Sequence, residues 1–120
     1  MYNKRILGKL GETLACNYLE KENYKIIEKN FSCSQGEIDI IAYDTTTNEI
    51  VFFEVKTRSN FNYGIPAESI NNLKKMHIKH SIEYYLYKNN LLNKFIRVDA
   101  IEIAIHNKEY KLNHLKGILE

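Results

Sequence analysis

Gly36-Glu37-Ile38-Asp39-Ile40-Ile41-Ala42 and Ile50-Val51-Phe52-Phe53-Glu54-Val55-Lys56-Thr57-Arg58 are the two halves of the stretch whose reading decides the fold. Both are rich in Ile, Val and Phe and read as β-strands. The residues between them, Asp44-Thr45-Thr46-Thr47-Asn48-Glu49, are turn formers that suit a tight reversal. Side chains alternate across a strand, so Glu54 and Lys56 share one face while Phe53 and Val55 point the other way, into a core. Glu37, Asp39 and Ile41 share a face of the first strand. Paired as a hairpin, the strands bring Asp39 opposite or diagonal to Glu54 and Lys56.

Two carboxylates and an amine beside so much apolar surface are costly unless they pair or bind a metal. A hard divalent cation such as Mg²⁺ relieves repulsion between carboxylates by taking oxygen ligands. It can also activate water and stabilise charge on a phosphodiester under attack, with Lys56 neutralising the transition state. That chemistry is a metal-dependent nuclease's. A surface hairpin with a cross-strand Glu–Lys pair fits the same residues, and both readings stand at this point.

Composition narrows the class. A chain of 120 residues, 44% hydrophobic and 27% charged, is expected to form one globular domain over 1–120. A net charge of +2 does not by itself argue for a polyanionic partner. Cys16 and Cys33 have no ligand-like spacing with any histidine, and a reduced, cytoplasmic protein is expected. Met1-Tyr2-Asn3-Lys4-Arg5 runs into Gly8 and Lys9, so no signal peptide is expected, and no apolar stretch is long enough for a membrane span.

Outward from the hairpin, Leu7, Leu10, Leu14 and Tyr18, widened by Ala15 and Leu19, predict an amphipathic helix from Lys4 to Glu22. Gly8 and Gly11 cost up to about 1 kcal/mol each inside a helix and imply close approach of a strand or a ligand. Glu12 falls at the edge of the buried stripe, where a solvated helix glutamate reads equally well. A strand is predicted over Tyr24–Phe31 and a loop over Ser32–Gly36. After an aromatic loop containing Phe61 and Tyr63, Pro66 is placed to open a helix reaching Lys88. Its expected inner face is Ile70, Leu73, His77, Ile78, Ile82 and Tyr85, with Lys74, Lys75, Lys79 and His80 as a basic flank. A strand over Phe95–Ile105, a turn at His106-Asn107-Lys108 and a last strand from Glu109 to Leu115 complete the order α-β-β-β-α-β-β. The fold class is therefore α/β, a central mixed β-sheet flanked by helices. His77, His80, His106 and His114 lack metal-site spacing and read as structural or exposed.

Several motifs carry a resemblance. Gly8-x-x-Gly11-Glu12-x-x-Ala15-x-x-Tyr18-Leu19, Gly36-Glu37-Ile38-Asp39-Ile40-Ile41-Ala42, Phe53-Glu54-Val55-Lys56-Thr57-Arg58, Tyr63-Gly64-x-Pro66-x-Glu68 with Lys74 beyond it, and Arg97-x-Asp99 resemble the YraN-type bacterial family. The resemblance spans nearly the whole chain. It implies a restriction-endonuclease-like fold of the PD-(D/E)XK superfamily, similar to archaeal Holliday-junction resolvases. It also implies Asp39 and Glu54 as Mg²⁺ or Mn²⁺ ligands, Lys56 as catalytic lysine, and Glu12 as an accessory acid and metal ligand. Thr57, Arg58, Lys74 and Lys75 become nucleic-acid contacts. The partner implied is nucleic acid, DNA before RNA, branched or nicked DNA included. Symmetric cutting of two strands would call for a homodimer. A nucleic-acid-binding module without independent activity is the alternative. Arg97 and Asp99 fit a structural ion pair as well as a functional role. Two positions depart from the family pattern: Asn23 replaces a glycine, which asparagine's tolerance of left-handed backbone makes harmless, and Ser32 replaces a basic residue.

Overall fold

Strand and helix signals resolve into seven elements in the computed structural model, which describes residues 3–59 and 71–119. They are α1 (Lys4–Lys21), β1 (Tyr24–Cys33), β2 (Gly36–Asp44), β3 (Glu49–Arg58), α2 (Asn72–Lys88), β4 (Ile96–His106) and β5 (Glu109–Leu115). The five strands form one mixed sheet in sequence order. All neighbours are antiparallel except β3 and β4, which run parallel, and α2 makes the crossover that parallel pairing requires. The α/β class, the element order and the mixed sheet are as expected from the sequence.

Among the described residues, each face of the sheet carries one helix over its own core. Leu7, Ala15 and Leu19 of α1 pack on Ile40, Val51, Phe53, Ile101 and Ile103. Ile78, Ile82, Tyr85 and Leu86 of α2 pack with Phe31, Ile38, Phe52 and Val98. Asn3 caps α1 by accepting the Ile6 N–H at 2.8 Å, and Asn71 caps α2 by accepting the Lys74 N–H at 2.8 Å. The turns take left-handed asparagines, among them Asn23 (φ 68°), Asn48 (φ 61°) and Asn107 (φ 58°).

Several expectations are corrected. With Asn71 extended as its cap, α2 starts at Asn72, later than a helix opened by Pro66 would. Pro66, Ile70, Glu68 and the aromatic loop with Phe61 and Tyr63 lie outside the described residues. Leu73 and His77 are exposed, because the buried face of α2 is Ile78, Ser81, Ile82, Tyr85 and Leu86. β1 runs on to Cys33, so the predicted five-residue loop shrinks to a tight turn before Gly36. The two glycines of α1 part company. A Cβ on Gly11 would lie 1.9 Å from Thr57 Oγ1, so β3 approaches the helix there, whereas among the described residues nothing lies within 4 Å of a Cβ on Gly8.

Arg97 and Asp99 form a buried structural network. Arg97 donates twice to Asp99 (2.9 and 3.0 Å) and also reaches Glu49 (2.7 Å), Asp44 (3.1 Å) and the Tyr24 hydroxyl (2.8 Å). His114 Nε2 lies 2.8 Å from Asp99, its Nδ1 lies 2.8 Å from Tyr18 OH, and the Gly117 N–H donates to Asp99 at 2.9 Å. Burial would raise the Asp99 carboxyl, but bonds from His114, Arg97 and Gly117 outweigh it and hold the carboxyl below its ordinary value. A depressed carboxylate stabilises the fold above its unfolded value, and that contribution is lost as pH falls through the folded value. Asp99→Asn is therefore expected to cost about 3 kcal/mol in urea denaturation at neutral pH, as loss of one member of a buried ion pair does. The deficit should narrow toward acid.

Candidate functional site

The central hairpin does not stay paired along its length. β2 and β3 are in register from Asp44↔Glu49 to Ile40↔Phe53 and then part. Beyond that point, among the described residues, β2 pairs with β1 alone, through Ile38↔Phe31 to Gly36↔Cys33, and β3 with β4 alone, through Glu54↔Ala100 to Arg58↔Ala104. In the notch, Asp39 Oδ2 accepts the Val55 N–H at 2.7 Å, so the side chain of one strand satisfies the backbone of the other. Continuing the register would set Asp39 against Glu54.

Asp39 and Glu54 line one cleft of about 500 Å³ on the α2 side of the sheet, with Gly36, Glu37, Lys74 and His77 among its other walls. Burial first, and the Glu54 charge second, push the Asp39 carboxyl up to about 7; the Val55 N–H opposes this, and Glu12 and Glu37 add to it. Lys74 meets Glu54 in an ion pair (Nζ–Oε1 2.5 Å). Hydrogen-bonded on one oxygen and facing a second carboxylate, Asp39 is an anion the fold resists and a cation would relieve.

Other predicted residues fall around this pair. Glu12, expected in the same cleft, instead lines a second cleft of about 510 Å³ on the α1 side, with Lys4, Gly8, Lys56, Thr57 and Arg58. The reason is topological, since α1 covers the face opposite α2. Both clefts open at one end of the sheet, where β2 begins and β3 ends, and Glu12 still acts on Asp39 through its charge. Among the described residues no group of three or more His, Cys, Asp or Glu side chains stands as a metal centre. Lys56 is exposed, in the same alternating row as Glu54. Thr57 packs over Gly11. Lys74 reaches the first cleft, while Lys75 and Lys79 are not among its walls.

Sequence reasoning missed Glu102. It is 1% exposed on β4, accepts the Arg58 Nε–H on Oε1 at 2.7 Å, and has no partner for Oε2 among the described residues. Lys56 is its register partner on β3. The one available signal is an acidic residue inside the apolar run Ala100-Ile101-Glu102-Ile103-Ala104.

Comparison with known proteins places these residues in context. A family model described as "Uncharacterised protein family UPF0102" matches residues 11–103, which include Glu12, Asp39, Glu54, Lys56 and Glu102. A UPF0102 protein of Clostridium perfringens (strain 13 / Type A) is 48% identical over 118 residues, covering 96% of this chain and 93% of that protein. A UPF0102 protein of Caldanaerobacter subterraneus subsp. tengcongensis is 40% identical over 117 residues, covering 98% and 94%. Among solved structures, a repair endonuclease from Pyrococcus abyssi is similar at a TM-score of 0.45 and 15% identity, over 90% of this chain but only 40% of that one. The two agree loosely, and this chain spans less than half the length of that enzyme.

The Asp39 environment has a measurable consequence. Its folded value of about 7 lies above the ordinary 3.8 of an unfolded chain. A raised value favours the fold below the unfolded pKa, and that advantage is lost as pH rises toward 7. The cation-free protein should therefore lose up to about 4 kcal/mol between roughly pH 4 and pH 7 relative to Asp39→Asn, which cannot ionise. Denaturant melts of both proteins across this range check it, and parallel curves would mean that Asp39 ionises freely.

Proposed function

The chain belongs to the UPF0102 family, and from the paired carboxylates in its cleft we propose a divalent-metal-dependent nuclease that hydrolyses phosphodiester bonds in nucleic acid. The observation that carries this is Asp39, held on one oxygen by Val55 and raised by burial and by Glu54 on the adjoining strand. Structural carboxylates in this protein, such as Asp99, are neutralised by cations and donors. Asp39 has no cationic partner among the described residues.

The donor set fits Mg²⁺ or Mn²⁺. Both groups offer hard oxygens, and Mg²⁺ is commonly held by one or two carboxylates plus substrate phosphate. When bound, such an ion supplies Lewis-acid polarisation of a phosphoryl oxygen and a more acidic water. Asp39 and Glu54 would hold it, with Glu12 as an accessory acid from the far side of the notch. Lys74, now paired with Glu54, releases that carboxylate and becomes free to meet a phosphate. Lys56 supports negative charge developing on the phosphoryl group, where fixed charges act most strongly. Thr57, Arg58, Lys74 and Lys75 contact the backbone, which supplies most non-specific affinity. We further propose DNA, branched or nicked, over RNA as substrate; one catalytic domain over residues 1–120; a homodimer where both strands are cut; and action in the cytoplasm. No helix among the described residues is long and apolar enough to cross a membrane.

The Lys74–Glu54 ion pair favours a second reading, a nucleic-acid-binding module of this fold without independent activity. An internal ammonium already answers one of the two carboxylates. The purified protein incubated with linear, flapped and four-way DNAs and matched RNAs, with and without Mn²⁺, separates the two. Cleavage only with metal, absent from Asp39→Asn, is the expected result. Binding without cleavage would favour the module, and neither would reject both.

A further inference from the structure

The outer face of α2 is unlike a solvated helix face. Leu73, Met76, His80, Tyr84 and Tyr87 recur at steps of three and four, so at about 100° per residue they fall within an arc of about 80°. That arc lies nearly opposite the buried face of Ile78, Ser81, Ile82, Tyr85 and Leu86. Leu73, Met76 and Tyr87 are 60%, 51% and 71% exposed, and His80 is exposed with them. Tyr84 leans on Phe31, with ring centroids 6.3 Å apart, and is still 46% exposed. Leu92 and Phe95, just past the helix, are also exposed. Apolar side chains scattered singly over a surface need no explanation, but a continuous stripe of them marks an interaction site.

The charges beside the stripe select its occupant. Lys79 and Glu83 run along one edge, both exposed and neither in an ion pair among the described residues. Within one helix, lysine four residues before glutamate is the less favourable order. When a second α2 is laid antiparallel on the first, about a two-fold axis level with Ser81, each Lys79 comes level with Glu83 of the other copy. The stripes interleave in the same register. Met76 of one copy falls between Tyr84 and Tyr87 of the other, and the two His80 side chains straddle the axis. Lys74 and Lys88 come level on the opposite edge, near the ends where crossing helices diverge, and Lys74 is already answered by Glu54. We propose that the outer face of α2 is the interface of a two-fold homodimer, the helices antiparallel, with Met76 seated between the second copy's two tyrosines and Lys79 paired with its Glu83. A two-fold contact uses one patch twice, and this patch complements itself in shape and charge. It offers on the order of 600 Å² per copy, against roughly 800 Å² in a standard interface, so the dimer is reversible. Lys74 and His77, the α2 wall of the Asp39–Glu54 cleft, lie along one edge in both copies, so the two clefts open on one side of the dimer.

Sedimentation velocity of the full chain over a range of concentrations, without metal or nucleic acid, reads the association. Wild type should pass reversibly from monomer to dimer in the micromolar range. Met76→Glu puts a charge into the middle of the stripe at an exposed position, so it should keep the wild-type melting temperature and weaken dimerisation about tenfold or more. Lys79→Glu and Glu83→Lys each set like charges across the axis and should each weaken it several-fold. Combined, they should restore it, a rescue that a pair inside one helix would not give. On oxidation His80→Cys, beside the axis, should cross-link to itself, and Leu73→Cys, at the far end of the stripe, should not. A wild type that stays monomeric into the high-micromolar range overturns the proposal and leaves the stripe to a different protein. So does a dimer that Met76→Glu leaves intact, or one that Leu73→Cys cross-links and His80→Cys does not. None of these readouts involves metal or DNA, so a protein that dimerises in this way but never cleaves would fault the nuclease reading alone.

Discussion

Beyond Ile40 and Phe53 the two central strands stop bonding to each other, and the Val55 N–H is met by the carboxylate of Asp39 instead of a backbone carbonyl. That substitution is the constraint on which the rest depends. It lets β2 lean toward β1 and β3 toward β4 without leaving a backbone donor orphaned, whose burial would cost a few kcal/mol. The resulting notch is where both clefts open. It also fixes Asp39 by one oxygen in a half-buried position next to Glu54, which makes its ionisation unfavourable. Each helix is fitted to the same end of the sheet by a glycine. Gly11 lets Thr57 against α1, and Gly36, at φ 148°, passes close to His77 and Ser81 of α2.

Carboxylates in this sheet fall into two electrostatic classes. On the α1 face Asp99 is surrounded by donors and held below its ordinary value, and Asp44 is likewise held down, by Thr46, Thr47 and Arg97 against its own burial. These charges are satisfied and serve the fold. Asp39 is pushed the other way, by burial first and then by the charges of Glu54, Glu12 and Glu37 against the Val55 N–H. Glu102 lies between the classes, with one oxygen satisfied by Arg58 and one not. A fold that neutralises its structural acids so fully, and leaves Asp39 without a cation beside a Glu54 that is answered by Lys74, concentrates unmet charge where a cation and a phosphate can meet it.

The strands were legible because Ile-, Val- and Phe-rich runs between turn formers have one low-cost solution, and the α1 stripe because Leu7, Ala15 and Leu19 recur at helical spacing. Asp39 and Glu54 were legible as a pair because strand alternation and hairpin register are local rules. The start of α2 at Asn72 was not, since the cap is Asn71, whose side chain accepts the Lys74 N–H, and an asparagine inside a polar run is a weak signal. Its inner face was misread at Leu73 and His77, which extend past the sheet into the cleft region where no core remains to cover them. That Glu12 lines the α1-side cleft and not the one lined by Asp39 and Glu54 was not legible, because which face α1 covers depends on the whole topology. Glu102 stayed hidden for a related reason. Its partner, Arg58, is 44 residues away in sequence, and only the parallel register of β3 and β4 brings them together.

Calorimetric titration of Mn²⁺ into the protein, at pH 6.5 and pH 8.5 in buffers of different ionisation enthalpy, tests the central claim most directly, because it counts protons as well as ions. With Asp39 raised to about 7, binding at pH 6.5 should release most of one proton and binding at pH 8.5 almost none, and Asp39→Asn should abolish both the binding and the difference. Binding with equal proton release at the two pH values would mean that the ion sits elsewhere. No binding at millimolar Mn²⁺ would mean that Asp39 and Glu54 are not a metal site.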